Sequence, residues 1–296
     1  MAVVNTNISA SLAQASLARN ERALSKAMEQ LSTGRKINTA ADDAAGLAIS
    51  TRMSSQIIGL DQSVQNAHDA ISMIQTAESA LDEMTNMLLR MRELALQASN
   101  GTGSVADRDY LQDEFSRLKE EIDRIANNTE WNGRAVLNGN AGGTGVQDVS
   151  FQVGGNAGQT ISVDFGNLVG GGLAAGASGV AVASGGVALS AIAISGATTA
   201  AAQTAASAAM TGIDLAIENV SNQRASFGAT VNQLTHAIDN LTQVSINAES
   251  TKSRIMDTDY AKATSELARA QIIQQAGTAM LAQANQLPRS VLDLLQ

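Results

Sequence analysis

The chain has 296 residues, a net charge of −9 and no cysteine. The negative balance has the wrong sign for a nucleic-acid backbone and leaves no polybasic membrane patch. The missing thiols exclude disulfides, thiolate zinc sites and cysteine nucleophiles. Aromatic residues make up 2% of the chain and proline occurs once, at Pro288, so long uninterrupted helices are expected rather than a thick ring-filled core.

Residues 1–7 are small and polar and read as extended. They lack the basic start and apolar run of a cleaved secretory signal, so any export needs another route. From Ser9 a heptad runs through Ala10, Ala13, Leu17, Asn20, Leu24, Ala27 and Leu31. Such a narrow stripe is the seam of a paired helix. Asn20 on it has two readings, a register-fixing polar residue or a surface position at the seam edge. Gly34 is the expected C-cap. Thr39 and Asp42 have capping-box spacing, which places Asp42 and Asp43 in a first helical turn where negative charge is favoured. A metal or acid–base role for the two carboxylates lacks a third ligand.

A long helix follows, with its seam at Leu60, Val64, Ala67, Ile71, Ile74, Ala77, Leu81, Met84, Leu88, Met91, Ala95 and Ala98. At the helical rise that stripe is roughly 57 Å long. Asn100 to Gly103 ends it. A third helix, 105–127, carries Leu111, Phe115, Leu118, Ile122 and Ile125, with Asp113–Arg117 and Glu120–Arg124 as supporting pairs. Residues 127–139 are then turn-rich. Alternation at Val149, Phe151 and Val153, and again at Ile161, Val163 and Phe165, predicts a β-hairpin whose aromatic residues form a small local cluster. Residues 166–196, rich in Gly, Ala, Ser and Val, read as loop or short irregular strands.

Helical pattern resumes near Thr199 and gives a seam of Ile213, Ile217, Val220, Arg224, Phe227, Val231, Leu234, Ile238 and Leu241, to about Thr251. Arg224 on that seam must snorkel or meet a carboxylate. Residues 252–259 read as a linker, with Asp257 and Asp259 as N-capping candidates. The last helix carries Ala263, Leu267, Ala270, Ile273, Gly277, Met280, Ala284 and Leu287. Its seam needs a partner helix, and the first helix carries the matching pattern.

The order is nested, outer helices with outer and inner with inner. The fold class is mainly α, a long antiparallel helical rod with the β-hairpin section at its tip. The expected domains are 1–40 with 253–296, 41–165 with 199–252, and a short variable insert at 166–198. Leu17, Leu24, Leu31, Leu267, Ile273, Met280 and Leu287 are the polymerisation seams, because stripes that remain uncovered in one copy can be covered by others.

Catalytic constellations are missing. His68 and His236 have neither HxxxH nor HExxH spacing, and Gly154-Gly155 and Gly170 to Gly172 lack the strand–turn–helix setting of a phosphate cradle. No enzyme activity and no cofactor are expected. No run of about 18 apolar residues suggests a membrane span. What remains is association between copies.

Several segments are specific enough to carry a resemblance. Leu31-Ser-Thr-Gly-Arg-Lys-Ile-Asn-Thr-Ala-Ala-Asp-Asp-Ala-Ala-Gly46 and Arg269-Ala-Gln-Ile-Ile-Gln-Gln-Ala-Gly-Thr-Ala-Met-Leu-Ala-Gln-Ala-Asn285 resemble the N- and C-terminal signatures of bacterial flagellin. Asn127 to Gly133 resembles its turn motif, with Trp131 where the family usually has Phe. Phe151 to Gly154 with Gly158 to Val163 resembles its hairpin, and Pro288 to Leu295 its tail. The match covers about 1–165 and 205–296.

The resemblance implies a subunit of the flagellar filament, a passive propeller for swimming, with the terminal helices as an inner tube and the middle helices and hairpin as an outer tube. It implies an extracellular location reached uncleaved through the flagellar type III apparatus. A secretion chaperone would cover the C-terminal helix, and cap and junction proteins would be further partners. The family usually inserts outer domains where 166–196 stands here, so a thin, little-decorated filament is implied. The family's recognition site for a vertebrate Toll-like receptor matches at Arg90, Leu94 and Glu114, with Gln97 nearby; the same residues can serve subunit packing. The rival within the same apparatus is a hook–filament junction protein.

Overall fold

The computed structural model describes residues 7–169, 192–196 and 198–293, and side chains as far as 286. The chain order is α1 (Ile8–Thr33), α2 (Ala44–Ser99), α3 (Val105–Asn128), β1 (Glu130–Trp131), β2 (Arg134–Ala135), β3 (Asp148–Gln152), β4 (Thr160–Asp164), α4 (Thr199–Met256) and α5 (Tyr260–Asp293). It divides into two compact units, Met1–Ile58 with Ser245–Gln296 and Gly59–Val244. Both divisions fall inside helices, α2 and α4. The nested order is therefore present in the chain path.

The unit Gly59–Val244, the inner unit in chain order only, has a continuous core. The α2 stripe predicted from periodicity is buried or half-buried along its whole length, and Ile74, Ala77, Leu81, Met84, Leu88 and Met91 are fully buried. The α4 stripe faces the same core through Ile213, Val220, Phe227 and Leu234. Arg224 resolves its oddity with acid partners on α2, Asp82 at 3.1 Å and Glu78 at 4.0 Å. Arg92 adds a second α2–α4 pair with Asp214 at 2.6 Å.

Between α2 and α3 the chain turns through 100–104. Ser104 and Asp107 cap α3 reciprocally, a capping box that the run Ser104-Val-Ala-Asp107 carries in plain sight. Arg108, fully buried, reaches back from the first turn of α3 to the carbonyls of Ala98 at 2.9 Å and Asn100 at 2.8 Å. A cation is favoured there by the partial negative charge at the C-terminus of α2. On α3, Arg124 pairs with Glu121 rather than with Glu120.

The turn-rich stretch after α3 is a second small hairpin. Trp131 pairs with Arg134 and Glu130 with Ala135. Asn132 and Gly133, at φ 50 and 74, make the tight turn between them. In the predicted hairpin, Val149 pairs with Val163 and Phe151 with Ile161. Its aromatic residues do not form a separate cluster: Phe165 packs against Phe227 of α4, ring centroids 5.3 Å apart and planes tilted by 54°, inside the main core.

Nor does the hairpin lie beyond the last helical turn. α3 runs back along α2, and the hairpin docks at the other end of the unit, where Asn66 donates to the Gln152 carbonyl and Gly59 meets Gly155 backbone to backbone. A Cβ on Gly59 would stand 3.5 Å from the Gly155 Cα. The returning chain is pinned by Gln112, whose Oε1 accepts from the Ile194 and Ser195 amides. Residues 170–191, the middle of the predicted insert, lie outside the described residues.

The unit of the two chain ends, the outer unit in chain order only, is an antiparallel helix pair, α1 against α5, with the linkers beside it. Gly34 caps α1 in the left-handed region at φ 69, as expected from its place after the stripe. The linkers clip together: Lys36 N–H donates to the Met256 carbonyl at 2.7 Å and Thr258 N–H to the Gly34 carbonyl at 3.0 Å. The predicted linker 252–259 shrinks to 257–259, because α4 continues to Met256. Asp259 caps α5 through the Ala261 and Lys262 amides. Asp257 instead takes part in a β-bridge with Arg35.

The capping reading at 39–43 needs correction. Asp42 precedes the helix rather than lying in its first turn. Its Oδ2 accepts from the amides of Asn38 and Thr39 and from the Thr39 hydroxyl. The α2 start is served by Asp43, which accepts from the Gly46 amide at 2.9 Å.

Candidate assembly surface

Most of the α1 stripe is covered within the one chain. Ala27 is buried, and Ala13, Leu17, Leu24 and Leu31 are half-buried between the two helices. The α5 stripe requires a shift. Its covered positions are Ala263, Leu267, Ala270, Gln274, Gly277, Leu281 and Ala284. Those steps alternate strictly between four and three, the spacing of a paired helix. Ile273 and Met280, read as seam residues because they are large and apolar, are 47% and 65% exposed. A step of three twice in succession had rotated the reading off the seam at Ile273. Leu287 has its side chain outside the described residues.

Asn20 is buried, which excludes the reading of it as a surface position. Its Nδ2 donates to the Ala270 carbonyl of α5 at 2.7 Å. Asn7 serves twice at the start of α1. Its Oδ1 accepts from the Ala10 amide as a cap, and its Nδ2 donates to the Ala284 carbonyl at 2.8 Å. The helices come close where Gly277 faces Leu17: a Cβ there would stand 3.3 Å from the leucine Cδ1.

One flank of this pair is an open apolar groove of about 370 Å³ lined by Ser9, Leu12, Leu17, Ile273, Gly277 and Met280. Leu12 on the groove is 66% exposed, and elsewhere on the two helices Ile8 and Ile272 are 70% and 67% exposed. Burying such side chains is worth about 1.5–3 kcal/mol each. Within one chain the pair covers its seam and leaves this flank uncovered. Ile273 and Met280 thus belong to the flank and not to the intrachain seam.

Near the clip, Lys26 reaches Asp42 at 2.8 Å. The Lys26 ammonium, with the amides of Thr39 and Asn38, holds the Asp42 carboxyl well below the usual carboxylate range. This contact fastens the segment after α1 to the helix it leaves.

The inner unit carries the residues matched to the receptor site. Arg90 binds Glu114 on α3 at 2.8 Å and Glu93 at 2.6 Å, and these two carboxylates, Glu114 first, raise its guanidinium pKa. Gln97 is exposed. Leu94 is fully buried, so the folded unit presents Arg90, Gln97 and Glu114 to a partner but not the Leu94 side chain. The neighbouring apolar side chains that do face out are Leu89 and Leu96. Among the described residues no group of three or more His, Asp or Glu side chains gathers for a metal, and no helix is long and apolar enough to cross a membrane.

Two family regions match this chain: the bacterial flagellin N-terminal helical region over residues 4–142 and the bacterial flagellin C-terminal helical region over 210–295. A protein named Flagellin from Halalkalibacterium halodurans is 43% identical over 294 residues, covering 99% of this chain and all of the relative. Another named Flagellin, from Bacillus subtilis, is 44% identical and covers 99% of both chains. A solved structure described as a flagellar hook-associated protein from Vibrio parahaemolyticus superposes with a TM-score of 0.58 over 73% of this chain and all of its own, at 16% identity, and so shares the fold.

Proposed function

The chain belongs to the bacterial flagellin family, and from that premise we propose that it is the structural subunit that polymerises into the flagellar filament, turned as a passive propeller. The observation that carries the mechanism is the uncovered apolar flank of the α1·α5 pair. A two-helix pair with one flank open is completed when another copy covers it, and a head-to-side contact of that kind propagates into a helical polymer. Leu17, Leu24, Leu31 and Leu267 hold the pair together. Ile273 and Met280, with Leu12, face the next copy.

In this reading residues 1–40 with 253–296 form an inner tube. Residues 41–165 with 199–252 form the outer tube, and 166–198 is a short variable insert. The subunit performs no catalysis. It leaves the cell uncleaved through the flagellar type III apparatus, its last helix covered by a secretion chaperone on the way. It then meets cap and junction proteins at the growing end. A host Toll-like receptor would read Arg90, Gln97 and Glu114 on free subunits.

The test is seeded polymerisation. Full-length monomer adds to filament fragments, and a chain lacking Ala261–Gln296 does not; normal assembly of the truncated chain would end this reading. The hook–filament junction alternative is disfavoured by full-length identity of 43–44% to proteins named Flagellin. Its separate test is abundance in sheared flagella, where a filament subunit dominates and a junction protein is a minor component.

A further inference from the structure

We infer that Asn20 and Gln274 together select the register in which α1 pairs with α5. The two seams alternate large and small residues with a seven-residue period. Leu17 lies against Gly277. Counting along antiparallel helices from that contact puts Leu24 level with Ala270, Leu31 with Ala263 and Leu267 with Ala27. Sliding one helix by a heptad again sets leucines against alanine or glycine. Apolar packing therefore discriminates weakly between the native register and its neighbours.

The polar residues break this degeneracy. By the same count Asn20 and Gln274 share a level, and between Ala10 and Ala27 on α1 and along the covered stripe of α5 each is the sole polar residue of its seam. The buried Asn20 donates to the Ala270 carbonyl. A helical carbonyl points one turn toward the C-terminus, so that oxygen lies near the level of Gln274. A heptad slip in either direction would move Asn20 beside Leu267 or Leu281 and Gln274 beside Ala13 or Ala27; the backbone carbonyl that Asn20 uses has an equivalent in every register, so the discrimination rests on the shared level of the two amide side chains. A single polar position in a paired-helix seam fixes register in this way, at some cost in stability. The linker clip at 34–36 and 256–258 resists slippage only at one end, through backbone contacts between short segments.

The absence of native cysteine makes the register directly readable. The full chain carrying Leu17→Cys with Gly277→Cys reports the native register; Leu17→Cys with Ala270→Cys or Ala284→Cys reports the two slipped ones. Under mild oxidation, an internal bridge speeds migration in a denaturing gel without doubling the mass. In the otherwise native sequence only the native pair should bridge. Adding Asn20→Leu and Gln274→Leu should bring the slipped pairs to at least a tenth of the native pair's yield, while circular dichroism shows helix content retained or raised. Slipped pairs that stay unbridged in that double-leucine background would mean that the clip alone sets the register and would overturn the inference. So would slipped pairs bridging as readily as the native pair before the leucines are added, or no bridge in the native pair.

Discussion

The two units use the same heptad grammar and reach different ends. In the inner unit, α2 and α4 are joined by α3 and a hairpin, and large side chains such as Leu81, Met84, Leu88, Phe115, Phe165 and Phe227 are fully buried. In the outer unit α1 buries only Asn20 and Ala27, and among the described side chains of α5 the buried ones are Ala263, Ala270 and Ala284. A third and fourth layer make a core complete within one chain; two helices cannot enclose a large side chain on every side. The inner unit is thus finished by folding, and the outer one is left for assembly to finish.

Mutations should separate these two outcomes. The largest expected effect on stability is in the complete core. Phe227→Ala removes the ring packed against Phe165, should cost about 3–5 kcal/mol, and lowers the midpoint of denaturant unfolding of the monomer. A loss under about 1 kcal/mol would mean that the inner core is much looser than its burial implies. The contrasting substitution is Met280→Asp on the open flank. It should leave the unfolding midpoint within about 0.5 kcal/mol of native and reduce seeded elongation at least tenfold. Equal effects on both measurements would erase the distinction drawn between the units.

A smaller effect is expected at Gly34, where the left-handed conformation and the Tyr260 hydroxyl, 3.0 Å from an added Cβ, both oppose a side chain. Gly34→Ala should cost about 1 kcal/mol, read as faster amide exchange at Lys36 and Thr258, whose N–H groups hold the clip. Smallest is the acid response of Asp42. Its carboxyl titrates lower in the folded chain than in the unfolded one, so its contribution is fully present above the ordinary value of 3.8 and is lost as pH falls through the depressed folded value. Asp42→Asn should flatten the rise of stability with pH in that acid range and leave the neutral range unaffected by titration; an unchanged acid slope would remove the Lys26 contact from the account.

Much of this was legible from spacing. The α2 and α4 stripes are long, so an error in one residue is corrected by its neighbours, and both were covered in full. Gly34 follows its stripe and caps it. The short features were harder. Asn132-Gly133 carries the signal of a tight hairpin turn, but two-residue strands have no alternation to read. Arg108 is an arginine in an amphipathic helix, and nothing local says that it turns inward to the carbonyls of Ala98 and Asn100. Leu94 matched a receptor motif by type, whereas its orientation follows from the face α2 buries.

The last helix marks the division most clearly. Its period, its need for a partner and the identity of that partner are set by the sequence, because a narrow apolar stripe on a polar helix has few other ways to leave water. Which side of α5 meets α1 was decided by the tertiary structure. Large apolar residues at 272, 273 and 280 compete with the small ones of the true seam, and only close approach of two backbones favours Ala270, Gly277 and Ala284 over them. Hydrophobicity says that a residue should be covered; the packing distance between helices decides whether its own chain or another copy covers it.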